Sequence, residues 1–247
     1  MGRIELDGCP WTRGILDGPS EAGIATMDMN DIANAFLLVY AGLFPIVNPV
    51  GSTPIFLSLT RQSSDKERQS LARRVAVNSF FLLLGAMIVG SYVLEFFGIT
   101  LPVLRIAGGM VVTAFGWRLL HDGAESRHEG EAGESEATLG AEDAFYPLTM
   151  PLTVGPGSIS VAITLGSRRP PSMQDLTHFL LLGGAAVAGL AAIALTVYIC
   201  FRYARRIVSG LGPHGTNVLV RLSAFILLCI GIEILWIGFR DLFGLSQ

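Results

Sequence analysis

Cysteine is scarce in this chain. Cys9, Cys200 and Cys229 are too few and too far apart for a disulfide framework or for the paired spacing of a zinc site. Histidine is scarce too, and His121, His128, His178 and His214 fall in or beside loops, so no H-E-x-x-H metal helix is present. Neither a G-x-S-x-G elbow nor a phosphate-binding P-loop occurs. No metal, no cofactor and no enzymatic activity are therefore expected. Charge is thin as well: 15% of residues are charged and the formal net charge is -3. The eight acids between Asp122 and Asp143 supply much of that negative balance, which makes it a property of one loop and asks for no nucleic acid partner. The first 26 residues lack the basic start and continuous apolar core of a signal peptide. They are expected to be a mobile tail or an over-extended start, with Met27 or Met29 as the alternative to Met1.

What the chain has in quantity is hydrophobic sequence, 51% of residues with a mean hydropathy of +0.55. Apolar runs recur at 32–59, 75–97, 101–120, 145–165, 179–201 and 218–239, each near or above the roughly 20 residues a helix needs to cross hydrocarbon. The runs do not alternate in polarity, so a barrel is excluded, and in lipid the remaining way to satisfy the backbone is the helix. The expected fold is an all-α membrane protein of six transmembrane helices. Its expected parts are a tail over 1–29, three helices over 30–120, an acidic linker over 121–143, three more helices over 144–243 and a short tail over 244–247.

Lys and Arg set the orientation, because positive residues in short loops stay in the cytoplasm. One side carries Arg61, Lys66, Arg68, Arg73, Arg74, Arg118, Arg127, Arg202, Arg205 and Arg206; the other carries Arg3, Arg13, Arg168, Arg169 and Arg240. Both termini are thus predicted outside the cytoplasm, with the acidic linker inside.

The two halves echo each other. Pro45-Ile-Val-Asn-Pro-Val-Gly-Ser lies over Pro151-Leu-Thr-Val-Gly-Pro-Gly-Ser at an offset of 106, matching Gly51 with Gly157 and Ser52 with Ser158. Leu104-Arg105-Ile106-Ala107 similarly resembles Val220-Arg221-Leu222-Ser223. Three helices per half is an odd number, so equivalent helices must cross in opposite directions. That predicts two inverted three-helix repeats with interrupted first and fourth helices, an arrangement frequent in secondary transporters.

The interruptions carry the candidate site. Proline inside a helix removes a donor and costs about 3 kcal/mol or more. Asn48, Pro49, Gly51, Ser52, Thr53 and Pro54 are therefore expected to unwind and restart a half-helix capped by Ser52 or Thr53. Gly155, Pro156, Gly157 and Ser158 repeat the design from the other side, with Ser158 as cap. Each restarted helix presents free amides and a positive dipole end suited to a carboxylate, while unwound carbonyls suit an ammonium or a coupling cation. Broken backbone is tolerated at this depth only inside protein or along a polar cavity, so the two breaks are expected to face each other. A polar cavity at the breaks would mark transport, and tight packing there a structural role.

Charges inside the apolar runs are the second clue, since each costs about 2.5 to 3.5 kcal/mol to insert. Arg105 and Arg221 occupy matching places and read either as anion-contacting or gating groups or as helix-end residues that snorkel. Glu233 could bind an amine, carry a coupling proton or pair with an arginine. Asn78 suits an interhelical hydrogen bond, and the small residues Gly184, Ala185, Ala188 and Gly189, with Gly108 and Gly109, suit close helix contact.

Asn48-Pro49-Val50-Gly51 with Pro54, and Pro151-Leu152-Thr153 with Gly155-Pro156-Gly157-Ser158, resemble the paired signature of the MarC family of inner-membrane proteins, and Arg105-Ile-Ala-Gly108-Gly109 fits it as well. The resemblance runs from about 30 to 243. It implies a six-helix protein of the inner (plasma) membrane and, through the similar SnatA-like proteins, transport of small neutral amino acids such as glycine and alanine. The expected partners are then the bilayer, a small neutral solute with a coupling proton or Na+, and further copies of the chain as a homo-oligomer. The alternative is a membrane stress or regulatory protein that transports nothing.

Overall fold

The computed structural model describes residues 29–122, 144–167 and 176–244. The predicted tail up to residue 28, most of the acidic linker, and Arg3, Arg13, Arg127, Arg168 and Arg169 of the orientation argument lie outside the described residues. Eight helical elements and no strand occupy the rest: α1 (Met29–Val47), α2 (Pro49–Leu59), α3 (Asp65–Phe96), α4 (Leu101–Asp122), α5 (Phe145–Thr153), α6 (Pro156–Gly166), α7 (Leu176–Arg202) and α8 (Ala204–Leu242).

By length and composition, α3, α4, α7 and α8 can each cross a membrane, and α1 with α2, bent by 41° at their junction, makes a fifth span. The sixth predicted crossing, 145–165, is not one long helix. α6 has 11 residues, about 16 Å of rise, which is half of a hydrocarbon core. α5 is wound as a π-helix with extended backbone at Tyr146 and Met150. The prolines explain the winding: Pro147 and Pro151 cannot donate, and the Thr149 and Thr153 hydroxyls instead reach the carbonyls of Ala144 and Leu148, five residues back, at 2.6 and 2.9 Å.

Two helices begin earlier than their apolar runs. α3 starts ten residues before Val75 because Ser64 and Glu67 form a capping box, the Ser64 hydroxyl accepting from the Glu67 amide and the Glu67 carboxylate from the Ser64 amide. α8 starts at Ala204 and bends at Gly212, whose φ of 65° is left-handed, ahead of Pro213. Hydropathy registers neither helix start.

The elements pack as one bundle. α4 and α8 run antiparallel and nearly touch backbone to backbone. A Cβ placed on Gly109 would sit 2.6 Å from the Leu235 nitrogen, on Gly116 2.7 Å from the Leu228 nitrogen, and on Gly231 2.5 Å from the Thr113 nitrogen. Glycine is what permits that approach. α1 lies parallel to α7: Gly189 meets Val39 and the Phe36 carbonyl, and further along Tyr40 and Thr196 share a hydrogen bond of 3.3 Å. Of the small residues predicted to pack on α7, Ala185 and Gly189 are buried, whereas Gly184 and Ala188 are exposed. Phe56 of α2 stacks on Phe201 of α7 with centroids 4.2 Å apart, both rings fully buried. The outer face keeps large apolar side chains such as Phe81, Ile88, Leu195 and Ile232 exposed, as a lipid-facing surface would.

Candidate functional site

The first break is a single residue. Asn48 takes the left-handed conformation (φ 47°, ψ 56°), alone among the described non-glycine residues, and its side-chain oxygen accepts from the Gly51 amide at 3.1 Å. Asparagine tolerates this backbone better than most residues. The cap of α2 is thus Asn48, not Ser52 or Thr53, and Pro49 rather than Pro54 fills the first turn, where its missing N–H is harmless. The Ser52 and Thr53 hydroxyls turn back onto the carbonyls of Asn48 and Pro49, at 2.6 and 2.8 Å. Neither hydroxyl caps α2, because the backbone reverses one turn sooner, at the asparagine. Pro54 lies buried within the helix. With Gly51 capped and the Ser52 amide bonded to the Asn48 carbonyl at 3.0 Å, only the Val50 amide of the first turn is left for a ligand.

The second break is wider. Val154 and Gly155 are both extended, Gly155 stands at the cap position, and Pro156 opens α6. Ser158 is not the cap; its hydroxyl donates to the Gly155 carbonyl at 2.9 Å. No side chain caps α6, which leaves the buried Gly157 and Ser158 amides uncapped. This half-helix matches the anion-accepting design better than the first. The extra extended residue also puts the two halves one position out of step: Pro49 corresponds to Pro156 by structure, while the glycine alignment pairs Pro49 with Gly155.

α4 joins the breaks. A Cβ on Gly157 would sit 2.1 Å from Val112 and 3.6 Å from the Gly108 carbonyl. Phe115 and Leu119 line a small cavity at the first break together with Asn48, Gly51, Ser52 and Leu152. Gly108, Val112, Phe115 and Leu119 form one stripe of α4, so both breaks abut the same helix face, about 10 Å apart along it. The cavity offers the centre of a water-sized sphere ≈ 10 Å³, room for about one water. A further tie, from the Ser160 hydroxyl to the Leu104 carbonyl at 3.1 Å, locks α6 to α4.

The intramembrane charges lie elsewhere. Arg105 is ion-paired with Asp241 at the far end of α8, a partner that sequence reading missed because Asp241 falls beyond the last apolar run. Arg221 and Glu233 are both exposed on α8. Twelve residues, about 18 Å of helix, separate them, so they cannot pair within one chain. Sequence reading also passed over Ser79, next to Asn78: its hydroxyl is fully buried and has no hydrogen-bond partner among the described residues. No cluster of three metal-ligating side chains occurs among the described residues.

Long apolar helices, an apolar outer face and helix breaks set against α4 define a helical integral membrane protein. The chain belongs to the MarC family: the family described as MarC family integral membrane protein matches residues 33–243. Among relatives, it is 31% identical over 208 residues to the membrane protein YvbG of Bacillus subtilis, covering 83% of this chain and 94% of that one. It is 31% identical over 220 residues to the inner membrane protein MarC of Salmonella typhimurium, covering 87% and 98%. A membrane protein of Pyrococcus abyssi is 30% identical over 217 residues, covering 88% and 100%. No solved structure gives a significant match.

Proposed function

We propose that this chain is a secondary transporter of a small neutral solute, an amino acid by preference, coupled to a proton or Na+ and seated in the inner membrane with both termini outside the cytoplasm. The observation that carries the reading is the pair of half-helices, each of 11 residues, whose starts abut one stripe of α4. The Gly157 and Ser158 amides would take the solute carboxylate, and the carbonyls around Val154 and Gly155 the ammonium or the coupling ion.

Transport would proceed by rocking of two inverted halves, α1–α4 against α5–α8. Three packing pairs that recur when the halves are exchanged support this reading. α1 on α7 recurs as α5 on α3, α2 on α7 as α6 on α3, and α2 on α8 as α6 on α4. The equivalent helices α4 and α8 are antiparallel. In this reading the small cavity at the first break belongs to a conformation without bound solute, and the reading includes no enzymatic step.

The tightness of that same cavity favours a second reading, a membrane protein with a stress or regulatory role whose breaks are packing kinks. Flux measurements separate the two. Purified protein in vesicles is offered a panel of labelled neutral amino acids, with and without proton and Na+ gradients. Saturable uptake or exchange is expected, and its absence for every member of the panel refutes the transport reading. Gly157→Leu, whose side chain must enter the space of Val112, should abolish uptake while the protein still inserts. Unchanged kinetics in that variant would remove the second break from the site.

A further inference from the structure

A second cavity lies away from the breaks, where the start of α3 meets the α7–α8 junction. Its volume is ≈ 400 Å³, within the range of small-molecule sites. Its lining is strongly basic: Arg68, Arg202, Arg205 and Arg206 surround one carboxylate, Asp65.

Two of these arginines are already engaged. Arg68 is 4% exposed and donates to the carbonyls of Thr60 and Ser63 at 2.8 and 3.0 Å and to Asp65 at 2.9 Å, tying the α2–α3 turn together. Arg205 reaches the same Asp65 oxygen at 2.9 Å. Arg202 and Arg206 meet no carboxylate among the described residues. Their guanidiniums both lie near one aromatic ring instead, 5.9 and 5.5 Å from the Tyr203 centroid, and Arg202 also donates to the Tyr198 hydroxyl. Cation–π contacts of this kind fix the position of a charge without neutralising it.

The helix start adds to the field. Arg205 and Arg206 stand in the first turn of α8, which has no acidic residue and no side-chain cap. Cations at that end oppose the helix dipole, so the arrangement disfavours itself until an anion arrives. The geometry offers a phosphate two forked guanidiniums and uncapped backbone amides.

The depth of the site identifies the source of the phosphate. The cavity sits at the end of the spans on the side where Lys and Arg concentrate, which the positive-inside distribution predicts to be cytoplasmic. Directly below Arg202, Leu195 and Ile199 form an exposed apolar stripe on α7, 57% and 46% accessible, along which an acyl chain can lie.

We infer that the cavity between α3, α7 and α8 binds the phosphate of an anionic membrane lipid, with Arg202 and Arg206 as its ligands and the α7 stripe as its acyl-chain seat. Basic pockets between membrane helices are suited to such headgroups, each arginine contributing about a fivefold gain in affinity.

Native mass spectrometry and thermal unfolding of the full chain in detergent test this, with phosphatidylglycerol, phosphatidylcholine, glycerol 3-phosphate and inorganic phosphate added separately. Phosphatidylglycerol should bind and raise the unfolding temperature well beyond phosphatidylcholine. Arg202→Gln with Arg206→Gln should weaken it roughly 25-fold, and the corresponding lysine variants, which keep the charge but lose the fork, should restore only part of it. Arg118→Gln, an exposed arginine of the same membrane side outside the cavity, should change it little. Equal loss in Arg118→Gln would mean diffuse surface attraction and overturn the site. Equal effects of inorganic phosphate and lipid would overturn the lipid assignment. If the acidic linker itself fills the cluster, the wild-type chain will show no preference for phosphatidylglycerol, and the proposal falls.

Discussion

Gly231→Ala adds a single methyl group to α8 where it crosses α4, and its cost can be worked from the contact. The new carbon would lie 2.5 Å from both the Thr113 nitrogen and its hydroxyl oxygen, where ordinary contacts begin at 3.4 Å. One obstacle is backbone, so no rotamer change relieves it, and the helices must separate locally by close to an ångström. A gap of that size forfeits a quarter to a half of each dispersion contact of about 0.1–0.2 kcal/mol. Over a few tens of atom pairs the loss is about 1–3 kcal/mol, the usual range for overpacking. Alanine's better helix propensity returns at most about 1 kcal/mol. The net expectation is a destabilisation of about 1–2 kcal/mol. Reversible unfolding in mixed micelles of increasing denaturing detergent measures it. Gly183→Ala is the control, because a Cβ there meets nothing within 4 Å; it should be neutral or slightly stabilising. If Gly231→Ala proves as stable as Gly183→Ala, the tight α4–α8 crossing is not how the helices meet in the bilayer.

Further outcomes follow from other contacts. Asn48→Ala loses both the cap and the side chain that tolerates a left-handed backbone, at about 2–3 kcal/mol, whereas Asn48→Gly should cost only a few tenths; equal costs by the same unfolding assay would contradict the φ of 47°. Ser64→Ala removes half of the α3 capping box and should cost about 1 kcal/mol, read as faster hydrogen exchange confined to the first turn of α3. A double-mutant cycle on Arg105→Ala and Asp241→Ala should give a coupling of about 1 kcal/mol. A coupling of zero would show that the two helix ends are not joined by this pair.

Hydropathy made the helical membrane class and the two interruptions legible, because both depend on residues close in sequence. The boundaries were less so. The first three turns of α3 carry exposed Lys66, Arg73 and Arg74, and a polar helix start on a membrane protein leaves no hydropathic trace. The caps were not legible because Asn48, Ser52 and Thr53 could each accept an amide near Pro49 and φ at Asn48 decides among them, while near Pro156 the Ser158 hydroxyl turns to the Gly155 carbonyl and caps nothing. The two breaks were legible as neighbourhoods in the sequence, but the helix face they share was not. That Gly108, Val112, Phe115 and Leu119 pass both breaks is a fact of tertiary packing with no local signal. The same holds for Arg105, whose partner lies 136 positions away.

The junction Asn48-Pro49 has a chemical consequence apart from shape. Asparagine side chains age by deamidation when the next residue's backbone nitrogen attacks the carboxamide and closes a succinimide ring. Proline has no N–H to give up, so that ring does not form here, and the carbonyl oxygen that accepts from Gly51 is kept from turning into a carboxylate over the lifetime of the protein. The proline that starts α2 therefore also preserves the carboxamide that caps it. A negative charge introduced at this depth would cost the bundle several kcal/mol, and the sequence order Asn-Pro closes the commonest route to it.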